Sequence, residues 1–301
     1  MIDQLHIPVL LNESIDALEI KQDGIYVDLT LGRAGHSSKI LEKLTNGHLY
    51  CFDKDMSAIE TGRQRLQKIN NNFTIIKSDF RYLTDELAEH NVYSVDGILA
   101  DLGVSSPQLD DAERGFSYSK EAKLDMRMDR DQDFTAYDVV NNYSLEQLNR
   151  IFINNADVKL AKRVAKAIVD NRPINTTLEL TEVIKNAYPA AILRQKNPCR
   201  AIYQAIRIEV NNEFESLQEM LQKSLNLLKV NGKLAIITFH SIEDRIVKNF
   251  FKSLRLESET YKLPVQIDEP YKFKKITVSN TEKETNYRAR SATLRVLTKL
   301  K

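Results

Sequence analysis

The sequence predicts an α/β protein with a doubly wound, Rossmann-like parallel sheet and an inserted all-helical domain. Two observations support this prediction. Apolar runs of strand length alternate with helical segments over residues 24–101, the pattern of a parallel sheet covered on both faces. The alternation then stops, helical patterns follow without strands, and a strand pattern returns at Leu234. We therefore expect a discontinuous core, residues 1–108 and 200–301, and a helical insert, residues 109–199.

The first element of the predicted core is a strand that ends at Asp28 and runs through a glycine turn into a helix. A second strand follows over 48–52 and ends at Asp53. This order is that of a nucleotide-binding βαβ unit, in which the turn approaches the ligand and the acid binds the ribose hydroxyls. The turn contains Gly32 and Gly35 but no third glycine. A dinucleotide pyrophosphate therefore fits less well than a nucleoside without phosphates, such as S-adenosylmethionine.

Strands and helices continue to alternate on both sides of the insert. Before it, we expect helices over 56–69 and 81–90 and strands over 73–77 and 95–100. After it, we expect a strand over 234–239, a helix over 246–254 and strands over 275–278 and 292–298. The sheet is therefore predicted to resume after the insert.

Helical signals dominate the insert and the segment that leads back to the core. Ser144 and Thr176 stand at N-cap positions, and a basic helix is expected over 158–169. One long helix is predicted from about Cys199 to Leu228, followed by a turn at Asn231-Gly232.

Composition limits the classes of function. The 43 basic and 42 acidic residues leave a net charge of +1, so a polyanion partner requires a local basic patch. The two cysteines have neither metal-site nor disulfide-framework spacing, which favours a reducing cytosol and no metal. We find no signal peptide and no transmembrane stretch, so we expect a cytoplasmic protein without a membrane partner.

Acidic side chains follow most of the predicted strands. Asp28, Asp53, Asp79 and Asp101 stand at strand ends, and His240 follows the fifth strand. Ligands of open α/β sheets bind at this edge, and a cationic ligand would relieve the repulsion between the carboxylates. The sulfonium and ammonium groups of S-adenosylmethionine fit this requirement. The alternative for any single Asp is a cap of the following helix or turn.

Three residues near this edge have candidate roles in binding the cofactor. Asp53 has the position of the acid that binds a ribose diol. Phe80 is a candidate for stacking on adenine, and an ordinary core residue is the alternative. His36 is a candidate for a wall of the pocket, with a polar residue of the first helical turn as the alternative.

The segment from Asp101 to Asp110 is rich in hydrogen-bond acceptors. We expect Asp101, Ser105 and Ser106 to hold an amino-group substrate for methyl transfer, and Gln108 offers a further polar group. An acceptor on the N–H of an exocyclic amine would draw its delocalised lone pair toward the methyl group, and positioning would supply most of the remaining rate. A purely structural turn is the alternative.

An ordered set of motifs resembles one family over nearly the whole length. The motifs are His6-Ile-Pro-Val-Leu-Leu-Asn-Glu, Asp28-Leu-Thr-Leu-Gly-Arg-Ala-Gly-His-Ser, Asp79-Phe, Asp101-Leu-Gly-Val-Ser-Ser-Pro-Gln-Leu-Asp, Arg114-Gly-Phe-Ser, Leu124-Asp-Met-Arg-Met-Asp, Gln204-Ala-Ile-Arg-Ile-Glu-Val-Asn, Phe239-His-Ser-Ile-Glu-Asp-Arg and Arg288-Ala-Arg-Ser-Ala-Thr-Leu-Arg-Val. The chain resembles the bacterial 16S rRNA (cytosine-N4) methyltransferases.

The resemblance implies an S-adenosylmethionine-dependent methyltransferase fold with a helical insert for the substrate. It implies methyl transfer to N4 of one cytidine at the decoding region of 16S rRNA within the small ribosomal subunit. It also implies cofactor contacts at Ala34, Gly35, His36, Asp53, Phe80, Asp101 and Gln108.

Basic residues of the insert and of the C-terminal region are candidates for RNA binding. Between Val158 and Asn211, ten basic residues stand against four acidic ones. The residues that we expect to contact RNA are Lys162, Arg163, Arg200, Arg207, Arg288 and Arg290. A solvated charged helix face is the alternative for such spacing. The sequence leaves a homodimer open.

Two other functions compete with the methyltransferase. A nicotinamide-dependent oxidoreductase could use the same βαβ unit, but the third glycine and a hydride-transfer pair are missing. A non-catalytic ribosome-assembly factor could keep the fold without the chemistry, although the acids at the strand ends are intact.

Overall fold

A computed structural model describes residues 8–195, 197–255 and 269–301. The first seven residues, which include His6 of the N-terminal motif, lie outside the described residues. The chain divides into two compact units: Met1–Gly103 with Glu215–Lys301, and Val104–Phe214. The second unit thus covers the predicted insert range, 109–199, and adjoining residues on both sides.

The described residues form seven strands and fourteen α-helices. The strands are β1 Ile25–Asp28, β2 His48–Asp53, β3 Phe73–Lys77, β4 Val95–Asp101, β5 Leu228–Thr238, β6 Tyr271–Thr277 and β7 Thr293–Lys299. The helices are α1 Leu11–Leu18, α2 Gly35–Leu41, α3 Met56–Leu66, α4 Leu83–Glu89, α5 Ser106–Asp110, α6 Ala136–Asn142, α7 Leu145–Ala156, α8 Ala161–Asp170, α9 Thr177–Ala187, α10 Ala190–Leu193, α11 Cys199–Asn211, α12 Glu213–Leu227, α13 Ser241–Ser253 and α14 Asn280–Thr285. Short 3₁₀ helices lie at Phe80–Tyr82, Ala112–Arg114 and Tyr287–Ser291.

The first unit is built on one sheet in the order β3-β2-β1-β4-β5-β7-β6. Strands β1 to β5 are parallel, and β7 and β6 are antiparallel additions at one side. Alternate strand residues point to opposite faces: Tyr26 and Leu49 belong to one apolar cluster, whereas Val27 and Phe52 belong to another. The near-continuous apolar runs in the sequence therefore reflect burial on both faces, and the predicted Rossmann-like fold is confirmed.

The second unit has a helical core. Leu148 and Phe152 of α7, Val164 and Ile168 of α8 and Ile206 of α11 are all buried in one cluster. The predicted caps are confirmed. The hydroxyl of Ser144 accepts a hydrogen bond from Gln147 N, and that of Thr176 accepts one from Glu179 N, both at 3.2 Å.

Two predicted details at the end of the insert were wrong. The single helix expected from about Cys199 to Leu228 is two helices, because Asn212 adopts the left-handed conformation with φ of 50°. The turn expected at Asn231-Gly232 lies inside β5. There the register with β4 is irregular, since Val95 pairs with Leu228 and Gly97 with Lys233, and Asn231 has φ of 67°.

The helix α1 was missed by the sequence analysis, because its eight residues follow a segment without a cap signal. Among the described helices, none is long and apolar enough to cross a membrane.

Candidate functional site

The candidate site lies where the parallel strands of the first unit end. Strand β1 is paired with β2 on one side and with β4 on the other, so the chain order reverses beside β1. The carboxyl edge at such a reversal is the usual ligand site of an open α/β sheet. The strand ends bring Asp28, Asp53 and Asp101 to this edge.

The turn after β1 has a strained backbone that is held by the next strand. Gly32 and Ala34 both have left-handed φ values, 49° and 57°. The N–H of Gly32 donates to Asp53 Oδ2 at 2.9 Å. A side chain at Gly35 would collide with the ring of Pro8. The first turn of α2 can therefore approach its neighbours only with glycine at this position.

Asp53 is held by two backbone donors at the end of β2. Its Oδ1 accepts from Asp55 N and its Oδ2 from Gly32 N, each at 2.9 Å. Burial raises the pKa of Asp53 to about 6, aided by the charges of Asp55 and Asp28 and opposed by the two N–H donors. The carboxylate is thus oriented before any ligand binds and is ionised at neutral pH.

A chain of hydrogen bonds connects the ends of α2, β1 and β4. The buried carboxylate of Asp28 accepts from Ser37 Oγ at 2.5 Å and from Thr30 N at 3.1 Å. The hydroxyl of Thr30 lies 3.4 Å from Asp28 and accepts from Asp101 N at 2.7 Å. Asp28 is therefore engaged inside the unit, and Thr30 connects it to the backbone of Asp101. Neither Thr30 nor Ser37 was predicted as a site residue, although both belong to the motif that begins at Asp28.

Asp101 has a carboxylate oxygen that no described residue satisfies. Its Oδ1 is buried and has no hydrogen-bond partner among the described residues, and its Oδ2 lies 3.6 Å from His36 Nδ1. Burial, together with the charges of Asp28 and Glu243, raises the pKa of Asp101 well above its usual range. A buried acceptor of this kind requires a donor, and a cationic ligand would satisfy both the oxygen and the charge.

His36 brings no positive charge to Asp101. The imidazole is buried, and its Nε2 lies 3.2 Å from the carbonyl oxygen of Val9. Burial lowers the pKa of His36 to about 4, with only the Val9 contact opposing it. The ring is therefore neutral at physiological pH, and the role of His36 as a wall of the pocket stays a prediction.

The end of β3 presents Asp79 and Phe80. Asp79 Oδ2 is 2.8 Å from Lys54 Nζ and 3.1 Å from Ser216 Oγ, and its Oδ1 accepts from Arg81 N at 3.0 Å. Burial by itself would raise the pKa of Asp79, but the charge and hydrogen bond of Lys54 keep it below its usual value. Asp79 thereby fixes the backbone beside Phe80, whose half-buried ring packs against the apolar core.

A second histidine–carboxylate pair, which was not predicted from the sequence, lies at the end of β5. His240 caps α13, and its Nε2 lies 2.8 Å from Oε1 of the buried Glu243. Oε2 of Glu243 accepts from Phe239 N at 2.9 Å. The negative charge of Glu243 helps to raise the pKa of Asp101.

Three predicted site residues of the second unit, Ser105, Ser106 and Gln108, lie at the start of the short helix α5. Ser105 is the N-cap of α5, Ser106 is its first residue, and the buried Gln108 accepts from Ser105 N at 2.9 Å to close a capping box. This geometry gives both Ser105 and Gln108 a structural role. The catalytic and cofactor contacts expected of these residues stay predictions.

The predicted RNA-binding residues differ in exposure. Lys162 and Arg163 of α8 and Arg200 of α11 are exposed, whereas Arg207 is half-buried and forms a bidentate ion pair with Glu213 at 2.7 and 2.8 Å. In the first unit, Arg288 and Arg290 are exposed on the 3₁₀ helix before β7. Their contacts with RNA likewise stay predictions. The described residues contain no group of three or more His, Cys, Asp or Glu placed to hold a metal ion.

Comparison with known proteins identifies the family. The model of the MraW methylase family matches residues 3–300. The chain belongs to this family. Its relatives include a "Ribosomal RNA small subunit methyltransferase H" of Mycoplasmopsis agalactiae, 60% identical over 295 residues that cover 98% of each chain. A protein of the same name from Streptococcus mutans is 48% identical and also covers 98% of each chain. The predicted S-adenosylmethionine-dependent methyltransferase is thus confirmed, and neither the oxidoreductase nor the assembly factor is favoured.

Proposed function

We propose that the chain transfers a methyl group from S-adenosylmethionine to N4 of one cytidine in 16S rRNA, within the small ribosomal subunit of the cytoplasm. The observation that carries this proposal is the buried Oδ1 of Asp101, which has no hydrogen-bond partner within the described part of the chain and lies at the carboxyl edge of a methyltransferase sheet. The names of the relatives support ribosomal RNA of the small subunit as the substrate. The motif resemblance supports the decoding-region cytidine.

The residues of the edge match the parts of the cofactor. Asp53, ionised and held by two N–H donors, is suited to accept hydrogen bonds from the ribose hydroxyls. Phe80 is half-buried and is our candidate for stacking on the adenine, and the turn at Ala34 and Gly35 would allow close approach of the cofactor. S-adenosylmethionine supplies an electrophilic methyl group on a sulfonium.

Asp101 would activate the acceptor by orienting it. The exocyclic amine of cytosine is a weak nucleophile because its lone pair is delocalised into the ring. An acceptor oxygen on one N–H favours the pyramidal geometry in which the lone pair points at the methyl carbon. Holding the two reactants in line is worth about 7–11 kcal/mol in well-oriented systems. The amine becomes strongly acidic only as the N–C bond forms, so the proton can leave afterwards without a dedicated base.

The substrate base must be unpaired and turned out of its stack. Such extrusion costs on the order of a few kcal/mol, which contacts to the surrounding RNA must repay. The exposed Lys162, Arg163 and Arg200, with Arg288 and Arg290, provide the positive charge for phosphate contacts.

The test is methylation of small ribosomal subunits, and separately of naked 16S rRNA, with methyl-labelled S-adenosylmethionine. We expect one label per 16S rRNA, released as N4-methylcytidine on nucleoside analysis by mass spectrometry. The matched controls are Asp101→Ala, which removes the acceptor, and Asp16→Asn, which changes an exposed acid on α1. Label on another nucleoside would contradict the cytosine-N4 proposal. Incorporation no higher than with Asp101→Ala would favour the assembly factor.

A further inference from the structure

The 3₁₀ helix Tyr287–Ser291 lies at the same edge of the sheet as the candidate site. Strand β7, which follows it, is antiparallel to β5, and its first residue, Thr293, pairs with Thr238, the last residue of β5. An antiparallel strand begins where its parallel neighbours end. The topology therefore places Tyr287–Ser291 at the carboxyl edge that carries Asp53 and Asp101.

The 3₁₀ helix Tyr287–Ser291 is anchored to the structure around the turn that follows β1, which we call the cofactor turn. Ala289 is fully buried in the apolar cluster that also contains Ala34. The carboxylate of Glu282 in α14 accepts a hydrogen bond from Leu10 N at 2.8 Å. The preceding residue, Val9, contacts His36 Nε2 through its carbonyl oxygen at 3.2 Å. The segment is therefore held in place relative to His36.

An aromatic ring and a guanidinium are stacked on the outer face of this anchored segment. Tyr287 is 70% exposed, so the core does not use its ring. The guanidinium carbon of Arg290 lies 4.6 Å from the centroid of that ring, and Arg290 Nε donates to the carbonyl oxygen of Lys283 at 3.3 Å. Arg288 is exposed beside them. Exposed aromatic rings interleaved with arginine are the groups on which unpaired RNA bases stack.

We propose that Tyr287 and Arg290 form a stacking platform for an unpaired nucleotide of the substrate RNA that flanks the methylated cytidine. The inference rests on the proposed function and adds a base contact to the phosphate contacts expected of Arg288 and Arg290. A stacked neighbour would hold the RNA open at the carboxyl edge and so help to keep the target base extruded. Stacking tolerates any base, so the platform would contribute affinity without reading sequence.

The experiment compares Tyr287→Ala, Tyr287→Phe and Tyr93→Ala. Tyr93 is 69% exposed but precedes β4, at the amino edge of the sheet, and is the matched control. We expect Tyr287→Ala to raise KM for the RNA substrate by about fivefold to a hundredfold, the range for one lost stacking contact. KM for S-adenosylmethionine should not change. Tyr287→Phe keeps the ring and should stay within about twofold of the parent, as should Tyr93→Ala.

Two results would overturn the platform. One is a KM for RNA in Tyr287→Ala within twofold of the parent, and the other is an equal rise of both KM values, which indicates damage to the cofactor turn. If the parent protein transfers no methyl group, the proposed function fails but the platform is still decided by filter binding of 16S rRNA. In that assay a loss of affinity in Tyr287→Ala alone supports the platform, and equal affinities reject it.

Discussion

The polar side chains at the carboxyl edge of the sheet are held in place, whereas the basic side chains of α8 in the second unit are not. At the edge, the carboxylates of Asp28 and Asp53 accept hydrogen bonds from hydroxyl and backbone N–H groups, and the backbone of Asp101 donates to Thr30. On α8, Lys162 and Arg163 extend into solvent. Groups of the first kind can act on single atoms, because their positions are fixed before the ligand arrives. Groups of the second kind provide charge whose exact position matters little.

The largest effect should follow from a change of Asp101, whose buried Oδ1 has no hydrogen-bond partner among the residues that the structure describes. Asp101→Asn replaces one of the two carboxyl oxygens with an NH2 donor, and we expect methyl transfer to fall on the order of 10²–10³-fold. Because burial raises the pKa of Asp101 well above its usual range, its ionised form costs folding free energy as pH rises. The variant should therefore unfold at an equal or higher temperature at pH 8.

The assay for Asp101→Asn combines initial rates with thermal unfolding, and Asp16→Asn is its control. A lower unfolding temperature together with the lost rate would indicate misfolding. A loss of less than about tenfold would show that the unsatisfied oxygen does not touch the reactants.

The second effect concerns Thr30, which acts on the site through Asp101. Thr30→Val is nearly isosteric but leaves the Asp101 N–H without its 2.7 Å acceptor. An unsatisfied buried donor costs about 1–3 kcal/mol, and a shift of Asp101 by a fraction of an ångström should reduce kcat by about 10- to 100-fold. Thr30→Ser keeps the hydroxyl and should restore kcat to within about threefold. The measurement determines kcat, KM for S-adenosylmethionine and KM for the RNA separately.

A matched control for Thr30 is Ser224→Ala in α12, which removes a fully buried hydroxyl that donates to Met220 Sδ at 3.3 Å. It should lower stability slightly and leave kcat unchanged. Equal kcat losses in Thr30→Ser and Thr30→Val would contradict the positioning role, since then the hydroxyl would not be the group that matters.

The same contrast explains how much could be predicted from the sequence. The strands, the glycine turn and Asp53 follow from local patterns, because burial on both faces and a left-handed turn restrict which residue types stand at neighbouring positions. The contact of Thr30 with Asp101 joins residues 71 positions apart and therefore produces no local sequence pattern. The ion pair of Arg207 with Glu213 spans the helix break at Asn212, and a single long helix was predicted there. The charges of both residues were visible in the sequence, but their pairing was not.

A third effect is a pH dependence of cofactor binding through Asp53. Its pKa of about 6 belongs to the free protein, and hydrogen bonds from ribose hydroxyls favour the ionised form. Affinity should therefore be constant above about pH 7 and should fall by up to tenfold per unit below pH 6. Calorimetric titration with S-adenosylhomocysteine from pH 5 to 8 measures this fall. Asp53→Asn should bind more weakly at pH 8 and lose the pH dependence; an unchanged slope in that variant would assign the titration to another group.

The smallest effects should come from removing single charges of the second unit. They should differ between an exposed arginine and one that forms an ion pair. Removing Arg200, which is exposed, should weaken RNA binding severalfold and lower the slope of log K against log salt by about 0.7–0.9, as expected for one lost phosphate contact. Arg207→Ala should change neither the affinity nor the slope to that extent, because Glu213 already holds its guanidinium at 2.7 and 2.8 Å. Filter binding of 16S rRNA at several salt concentrations measures both quantities. A larger slope change for Arg207→Ala than for Arg200→Ala would mean that RNA displaces Glu213, and the ion pair would then be a latent phosphate contact.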